Sequence, residues 1–279
     1  MRVRANAKLN ITLNVIGKRS DGYHILDSVM QSITLCDVID VEVGDKISVI
    51  CDADDIDEQN NICYKAAKAF FEHTKLSGGA QISIRKQIPL SSGMGGGSAD
   101  AAAVICALDK LYETRLSDKA INEICLSVGA DVPFCAVGGT ARVGGIGESI
   151  ENIKDIPECA FVLVKNSDKQ STADMYKKID ALSMPSPTTQ AAVDAINDGD
   201  INALCKNITN DFALVSSDEG LLSDMTTTNP MAISLTGSGP TVFAIYPDIN
   251  AANAAADTLK LKGYSPIVAL PAKTGIIFE

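Results

Sequence analysis

Ile88-Pro-Leu-Ser-Ser-Gly-Met-Gly-Gly-Gly-Ser-Ala-Asp100, running straight into the apolar-periodic Ala101 to Tyr112, decides how the rest of the chain is read. Before it stands Ala80-Gln-Ile-Ser-Ile-Arg-Lys-Gln-Ile88, whose Ile82, Ile84 and Ile88 suit a strand with one buried face. After it, Ala101, Val104, Ile105, Leu108 and Leu111 recur at helical spacing, with Ser98 or Asp100 placed to cap the helix. Strand, glycine-rich loop and helix start follow in that order. Glycine lets backbone approach a ligand closely, and a helix start offers unpaired N–H groups and the positive end of a dipole. Tight packing of a strand against a helix also uses glycine. Gly93, Gly95, Gly96 and Gly97 together are more than a turn requires, and they predict a phosphate site.

With 279 residues, the chain is long enough for one large domain or two. The formal net charge of −11 argues against nucleic acid or a membrane surface as partner, but leaves room for a small anion held by local N–H groups and lysines. No apolar run reaches the roughly 18 to 20 residues of a membrane span, and polar residues interrupt the N-terminal segment where a signal peptide would carry its apolar core. A cytoplasmic protein is expected. Eight cysteines without a Cys-x-x-Cys pair, beside only two histidines, read as reduced core thiols rather than as a zinc site.

Lys8-Leu-Asn-Ile-Thr-Leu-Asn-Val-Ile16 alternates at strand period, placing Leu9, Ile11, Leu13 and Val15 on one face. Lys8, Asn10, Thr12 and Asn14 share the other face, which is either a polar cleft or a solvated sheet surface. Gly17 to His24 is a loop that gathers two cations, Tyr23 and His24; such a pair can stack on and read a base, or simply pack. Val29 to Val43 reads as strand with Asp37 and Asp40 near a turn, Ile47 to Cys51 as a short strand, and Asp52 to Gln59 as an acidic loop. Asn61 opens a helix from Ile62 to Phe71, either as its cap or with its amide near a purine, and a further helix starts at Ser117-Asp118 and breaks at Gly129-Ala-Asp-Val-Pro-Phe134. There Asp131 is either an N-cap or a base beside a phosphoryl acceptor.

A soft boundary near Lys154 divides 1–154 from 155–279. Beyond it come a strand at Ala160 to Val164 and helices at Ser171–Asp180, Thr189–Ile196 and Ile201–Leu214. A strand–glycine turn–strand follows at Ala232–Ile245, then an Ala-rich helix at Asn250–Leu261 and a strand within Ser265–Leu270.

A Walker loop is absent, and Ser98 stands where a dinucleotide fingerprint needs glycine. Pro89-Leu-Ser-Ser-Gly-Met-Gly-Gly-Gly-Ser-Ala-Asp-Ala-Ala102 instead resembles the phosphate loop of the GHMP small-molecule kinases. Ala7-Lys-Leu-Asn-Ile-Thr-Leu13, Gly17-Lys-Arg-Ser-Asp-Gly-Tyr-His24, Gly129-Ala-Asp-Val-Pro-Phe134 and Thr236-Gly-Ser-Gly-Pro-Thr-Val-Phe-Ala244 extend the likeness, in order, over nearly the whole chain. The resemblance implies an α+β, two-domain GHMP kinase fold: a ribosomal-S5-like N-terminal domain, a ferredoxin-like C-terminal domain, and the active site in the cleft between them.

It further implies that ATP, with Mg²⁺ carried on it, phosphorylates a small-molecule acceptor, and Asp-Gly-Tyr-His narrows that acceptor to a cytidine diphosphate methylerythritol. Lys8 and Asp131 map onto the catalytic pair. Pro89, Leu90, Ser91, Ser92, Gly93, Met94, Gly95, Gly96, Gly97 and Ser98 map onto the ATP-phosphate loop, and Asn61 lies near the adenine. Tyr23, His24 and Tyr176 map onto the cytosine site, Asn10 onto a substrate-contacting amide, and Gly237 and Ser238 onto a glycine turn facing the same cleft. No protein ligand for the metal is implied, and the molecule is a monomer or homodimer. Met94 stands where leucine is usual, Ala99 where a second serine is common, and 165–170 lacks the family's proline and glycine. A kinase of the same family acting on mevalonate, homoserine or a sugar, or a non-catalytic nucleotide sensor on this fold, are the competing readings.

Overall fold

The computed structural model of the protein describes residues 1–53, 58–166, 170–182, 185–216 and 218–279. Its first part runs β1 (Arg2–Asn10), β2 (Asn14–Lys18), β3 (His24–Gly44), β4 (Ser48–Cys51), α1 (Ile62–Thr74), β5 (Gly79–Arg85), α2 (Gly96–Leu111), α3 (Asp118–Val128), α4 (Val132–Val137), β6 (Thr140–Gly145) and β7 (Ser149–Asn152). The second runs β8 (Ala160–Lys165), α5 (Thr172–Ile179), α6 (Thr189–Asp198), α7 (Ile201–Lys206), α8 (Glu219–Thr226), β9 (Ala232–Leu235), β10 (Thr241–Tyr246), α9 (Ile249–Leu261) and β11 (Ile267–Ala269), and β12 (Ile276–Phe278) returns to the first sheet. Residues 54–57 of the acidic loop, 167–169, and Met184 of the following loop lie outside the described residues.

β3 is the spine. Its 21 residues pair at one end with β2 and β6 and at the other with β1 and β5, so a single strand carries two wings of sheet. The expected turn at Asp37 and Asp40 is absent: both lie within β3, and Asp37 is fully buried. A buried carboxylate persists only when its lone pairs are used. Asp37 accepts from the amides of Gln87 (2.6 Å) and Ile88 (2.8 Å) and from Lys86 Nζ (2.6 Å).

Helices α1 to α4 cover one face of this sheet over a core in which the small residues Ala99, Ala101, Ala102, Ala103 and Ala107 of α2 meet Ala66, Ala67 and the ring of Phe70 on α1. Cys63, Cys125 and Cys135 sit in this layer, and burial pushes all three thiols well up. The second sheet, ordered β11-β8-β10-β9, is antiparallel and buried on both faces. Val162, Val164, Val242 and Ala244 face Met175, Leu221, Met225 and α9. Phe161, Leu163, Phe243 and Ile245 face the other way, into a core that also holds Leu9, Ile11, Val29 and Ile88 of the first part. The two sheets therefore share a core.

The alternating segment at Lys8–Ile16 is two strands and not one. β1 stops at Asn10, Ile11 N–H turns to the carbonyl of Val29 (2.7 Å), and Leu13 bridges to Asn210 before β2 begins. Its polar face is buried throughout and splits in function. Lys8 and Asn10 face a cavity, while Thr12 hydrogen-bonds Thr189 (2.9 Å) and Asn14 accepts from Thr188 N–H (3.0 Å), stitching β1–β2 to α6. Elsewhere, the helix expected across Ile201–Leu214 is α7 followed by a separate 3-10 turn at Asp211–Leu214, with Asn210 capping the turn. α8 and β12 were not foreseen.

Candidate active site

A cavity of about 870 Å³ opens where the C-terminal end of β1, the glycine-rich loop, the start of α4, the β2–β3 hairpin and α5 converge. Local backbone chemistry builds its donor side. Gly95, at φ +72°, is the N-cap of α2, so the helix begins at Gly96 and neither Ser98 nor Asp100 caps it. The first in-register bond of the helix runs from Ala99 N–H to Gly95 O (2.8 Å), which leaves the N–H groups of Gly96, Gly97 and Ser98 at the helix mouth. A Cβ on Gly95 would fall 2.9 Å from Lys8 Cγ, so only glycine lets the lysine stem pass beneath the loop. The second glycine turn closes on the first: a Cβ on Gly93 would lie 2.6 Å from the carbonyl oxygen of Thr236.

Asp100 does different work from capping. It points into the core, where Lys86 Nζ reaches both Asp100 Oδ2 (2.6 Å) and Asp37 Oδ2 (2.6 Å). One ammonium between two buried carboxylates leaves one acid short of compensation. Asp37 has two backbone amides as well, whereas Asp100 Oδ1 has no partner among the described residues. Burial, reinforced by the charge of Asp37, accordingly pushes Asp100 up to about 8, against the pull of Lys86.

Lys8 anchors the floor. The register of β1 against β3 shifts between Asn6 and Lys8, and the Lys8 N–H donates instead to Met94 O (2.9 Å) on the glycine loop. Its Nζ donates to Asn10 Oδ1 (2.6 Å) and lies 3.3 Å from Asp131 Oδ2; the lysine side chain is 4% exposed and the aspartate 35%. Asn10 is held in turn by Ser28 Oγ (2.9 Å) and by the Gly237 amide (3.1 Å). Asp131 makes no side-chain capping bond to α4, so its carboxylate stands free of that role.

At the far end His24 stacks on Tyr176 with ring centroids 4.2 Å apart and planes 11° from parallel, and Phe212 packs edge-on against Tyr176. Burial and then the nearby charge of Asp131 push the Tyr176 phenol up to about 12. His24 Nε2 donates to Asp180 Oδ1 (2.6 Å), and Lys18 Nζ to Asp180 Oδ2 (2.5 Å). Tyr23 is 61% exposed at the rim. Thr172 Oγ1 and Ser238 Oγ, 2.9 Å apart, tie the start of α5 to the second glycine turn.

Lys8, Asn10, Tyr23, His24, Pro89, Leu90, Ser91, Ser92, Gly93, Gly95, Gly96, Gly97, Ser98, Asp131, Tyr176, Gly237 and Ser238 thus all line one cavity. Two expected residues do not. Asn61 is buried and its Oδ1 accepts from Cys63 N–H (2.8 Å), the helix-capping role; the neighbouring Ile62 lines the cavity instead. Met94 turns its side chain into the shared core and contributes only backbone. Ser28, Lys86, Asp180 and Phe212 also line the cavity, and sequence spacing carried no signal for them.

Residues 61–139 match the GHMP kinases N terminal domain. A 4-diphosphocytidyl-2-C-methyl-D-erythritol kinase of Caldanaerobacter subterraneus subsp. tengcongensis is 39% identical over 277 residues, covering 97% of this chain and 96% of that protein. One from Clostridium beijerinckii is 36% identical over 270 residues, covering 94% and 96%. Among solved structures, a 4-(cytidine 5'-diphospho)-2C-methyl-D-erythritol kinase superposes with a TM-score of 0.79 at 26% identity, covering 98% of this chain and 99% of its own. The homoserine kinase of Cytophaga hutchinsonii superposes at 0.80 but with 15% identity, over 99% and 96%, a likeness of fold alone.

Proposed function

Because the chain belongs to the 4-diphosphocytidyl-2-C-methyl-D-erythritol kinases of the GHMP family, we propose that it moves the γ-phosphoryl group of ATP onto the 2-hydroxyl of 4-diphosphocytidyl-2-C-methyl-D-erythritol, with Asp131 as base and Lys8 as charge stabiliser. The enzyme is an ATP-dependent kinase of the non-mevalonate route to isoprenoid precursors. The observation that carries the residue assignment is the 3.3 Å approach of Lys8 Nζ to Asp131 Oδ2, between the glycine loop and the aromatic cluster.

Phosphoryl transfer asks little covalent work of a protein; it asks for position and for charge where charge develops. In this reading the N–H groups of Gly96, Gly97 and Ser98 and the dipole of α2 hold the ATP phosphates. Mg²⁺ carried on ATP would supply neutralisation of the phosphate charge, and no residue of this chain is assigned to hold it. The acceptor hydroxyl lies between Asp131, which takes its proton, and Lys8, which stays cationic beside the oxygen as it becomes a nucleophile. Asn10 keeps Lys8 aimed. Tyr23, His24 and Tyr176 grip the cytosine end, and that remote binding aligns the hydroxyl. The protein acts in the cytoplasm.

ATP consumption with separate acceptors tests this. The cytidine acceptor should be turned over, and mevalonate, homoserine and galactose should be left at background. Comparable turnover of any acceptor lacking cytosine would remove the reading.

A further inference from the structure

Asp180 closes α5, the helix that carries Tyr176, yet its two strongest contacts are with the β2–β3 hairpin. Lys18 and His24 are register partners on that hairpin, and the carboxylate takes one hydrogen bond from each. A carboxylate facing a salt-bridged lysine only accepts, so the short contact to His24 fixes a proton on Nε2. In a neutral imidazole the other nitrogen is then an acceptor. Nδ1 makes no hydrogen bond among the described residues. A ring flip would put Cε1 and Cδ2 where Nε2 and Nδ1 stand and break the bond to Asp180, and the ring lies flat on Tyr176 with a side chain only 9% exposed, so one orientation holds. His24 lines the cavity, and Asp180 thus sets the hydrogen-bonding character of its remaining nitrogen.

We infer that Asp180 is the positioning residue that makes this pocket choose an amino-bearing pyrimidine over its carbonyl-bearing counterpart. Cytosine offers an exocyclic N4–H₂ donor where uracil has the O4 acceptor. A fixed acceptor at His24 Nδ1 satisfies the first and leaves the second unpaired, facing another lone pair. Sites built to pair with a polar group reject an analogue lacking it far more sharply than shape alone does. Lys18 neutralises Asp180 and keeps it ionised, consistent with the Asp180 carboxyl being drawn below its ordinary value first by His24 and then by Lys18. This selectivity rests on the acceptor's carrying cytosine, as proposed above; the state of His24 does not.

The chain has two histidines, so His73→Gln leaves His24 alone in an imidazole ¹⁵N spectrum. At a pH where the ring is neutral, the ligand-free protein should show the Nε2–H tautomer. Asp180→Ala should give a mixture, and Asp180→Asn, whose amide oxygen still accepts, should retain it. In kinetics, Asp180→Ala should raise KM for the cytidine acceptor with kcat little changed. The ratio of kcat/KM for the cytidine acceptor over its uridine analogue should fall at least tenfold, and Asp180→Asn should restore most of it. An unchanged tautomer in Asp180→Ala, or an unchanged cytidine-to-uridine ratio, overturns the inference. A wild-type enzyme inert toward the cytidine acceptor but showing the Nε2–H tautomer overturns the proposed function and the base preference together, and leaves Asp180's hold on His24 as the surviving fact.

Discussion

Lys8 lies near the end of β1 and Asp131 at the start of α4, and folding alone brings them together. Replacing Asp131 by Asn keeps the shape and removes the proton acceptor, so turnover should drop by about 10²- to 10⁴-fold. ATP affinity, which the proposed mode rests on the helix mouth, should change little when measured by equilibrium binding; near-normal turnover would remove Asp131 from its role. The alternation of Lys8–Ile16 was legible as a polar face, and Gly-Ala-Asp-Val-Pro as a helix start. That Asp131 does not cap, and that Asn61 does, depends on which backbone N–H each oxygen reaches. Spacing cannot decide that. Asp180 and Ser28 were illegible for a similar reason: their partners lie 156 and 18 residues away, and only the folded chain brings them together.

The central element is α2 with the loop that launches it. Strand, glycine loop and helix were readable from β5 to Leu111 because local rules govern each piece: period two, then glycine, then period 3.6. What the pattern hid was Asp100, which any sequence reading assigns to the first turn as a favourable cap. Tertiary burial beside Lys86 and Asp37 overrode that preference. The consequence is measurable. In the folded protein Asp100 holds its proton up to about 8, whereas in the unfolded chain it releases it near an ordinary carboxyl value. The native state then binds the extra proton between those limits, so stability falls as pH rises through that window and levels off above about 8. The slope is on the order of 1 kcal/mol per pH unit. Urea unfolding of wild type and Asp100→Asn from pH 5 to 9 should show the mutant gaining on the wild type up to about pH 8. A constant gap would mean that Asp100 is ionised throughout.

For the whole molecule, the glycine loop predicts a phosphate site and the ordered motifs identify a family, but neither says how the halves join. β7 of the first sheet ends at Asn152 and β8 of the second begins at Ala160, while β12 returns to the first sheet. Yet Leu9, Ile11, Val29 and Ile88 pack into one core with Phe161, Leu163, Phe243 and Ile245. Hydrophobic patterning announces that a face is buried without saying against which partner. Because that core is common property, calorimetry should record a single unfolding transition, with the calorimetric and van't Hoff enthalpies in agreement. Two resolved transitions would show that the halves are thermodynamically separate. In the proposed mode the acceptor spans both halves, through Asn10, Tyr23 and His24 on one side and Tyr176, Gly237 and Ser238 on the other, so acceptor binding should raise that one transition rather than split it.

The thiols in the helical layer give the same molecule a built-in stopwatch. Cys63 follows Ile62, which lines the cavity, and Cys135 lies in α4, which Asp131 introduces. Burial keeps both thiols protonated and out of reach, so an alkylating reagent can mark them only during the moments when α1 or α4 lifts from the sheet. The rate of marking near neutral pH is therefore a clock for the opening of the layer beneath the glycine loop. Saturating ATP should slow it at Cys63, as peptide mapping would show. Equal rates with and without nucleotide would mean that this layer opens independently of what the loop holds.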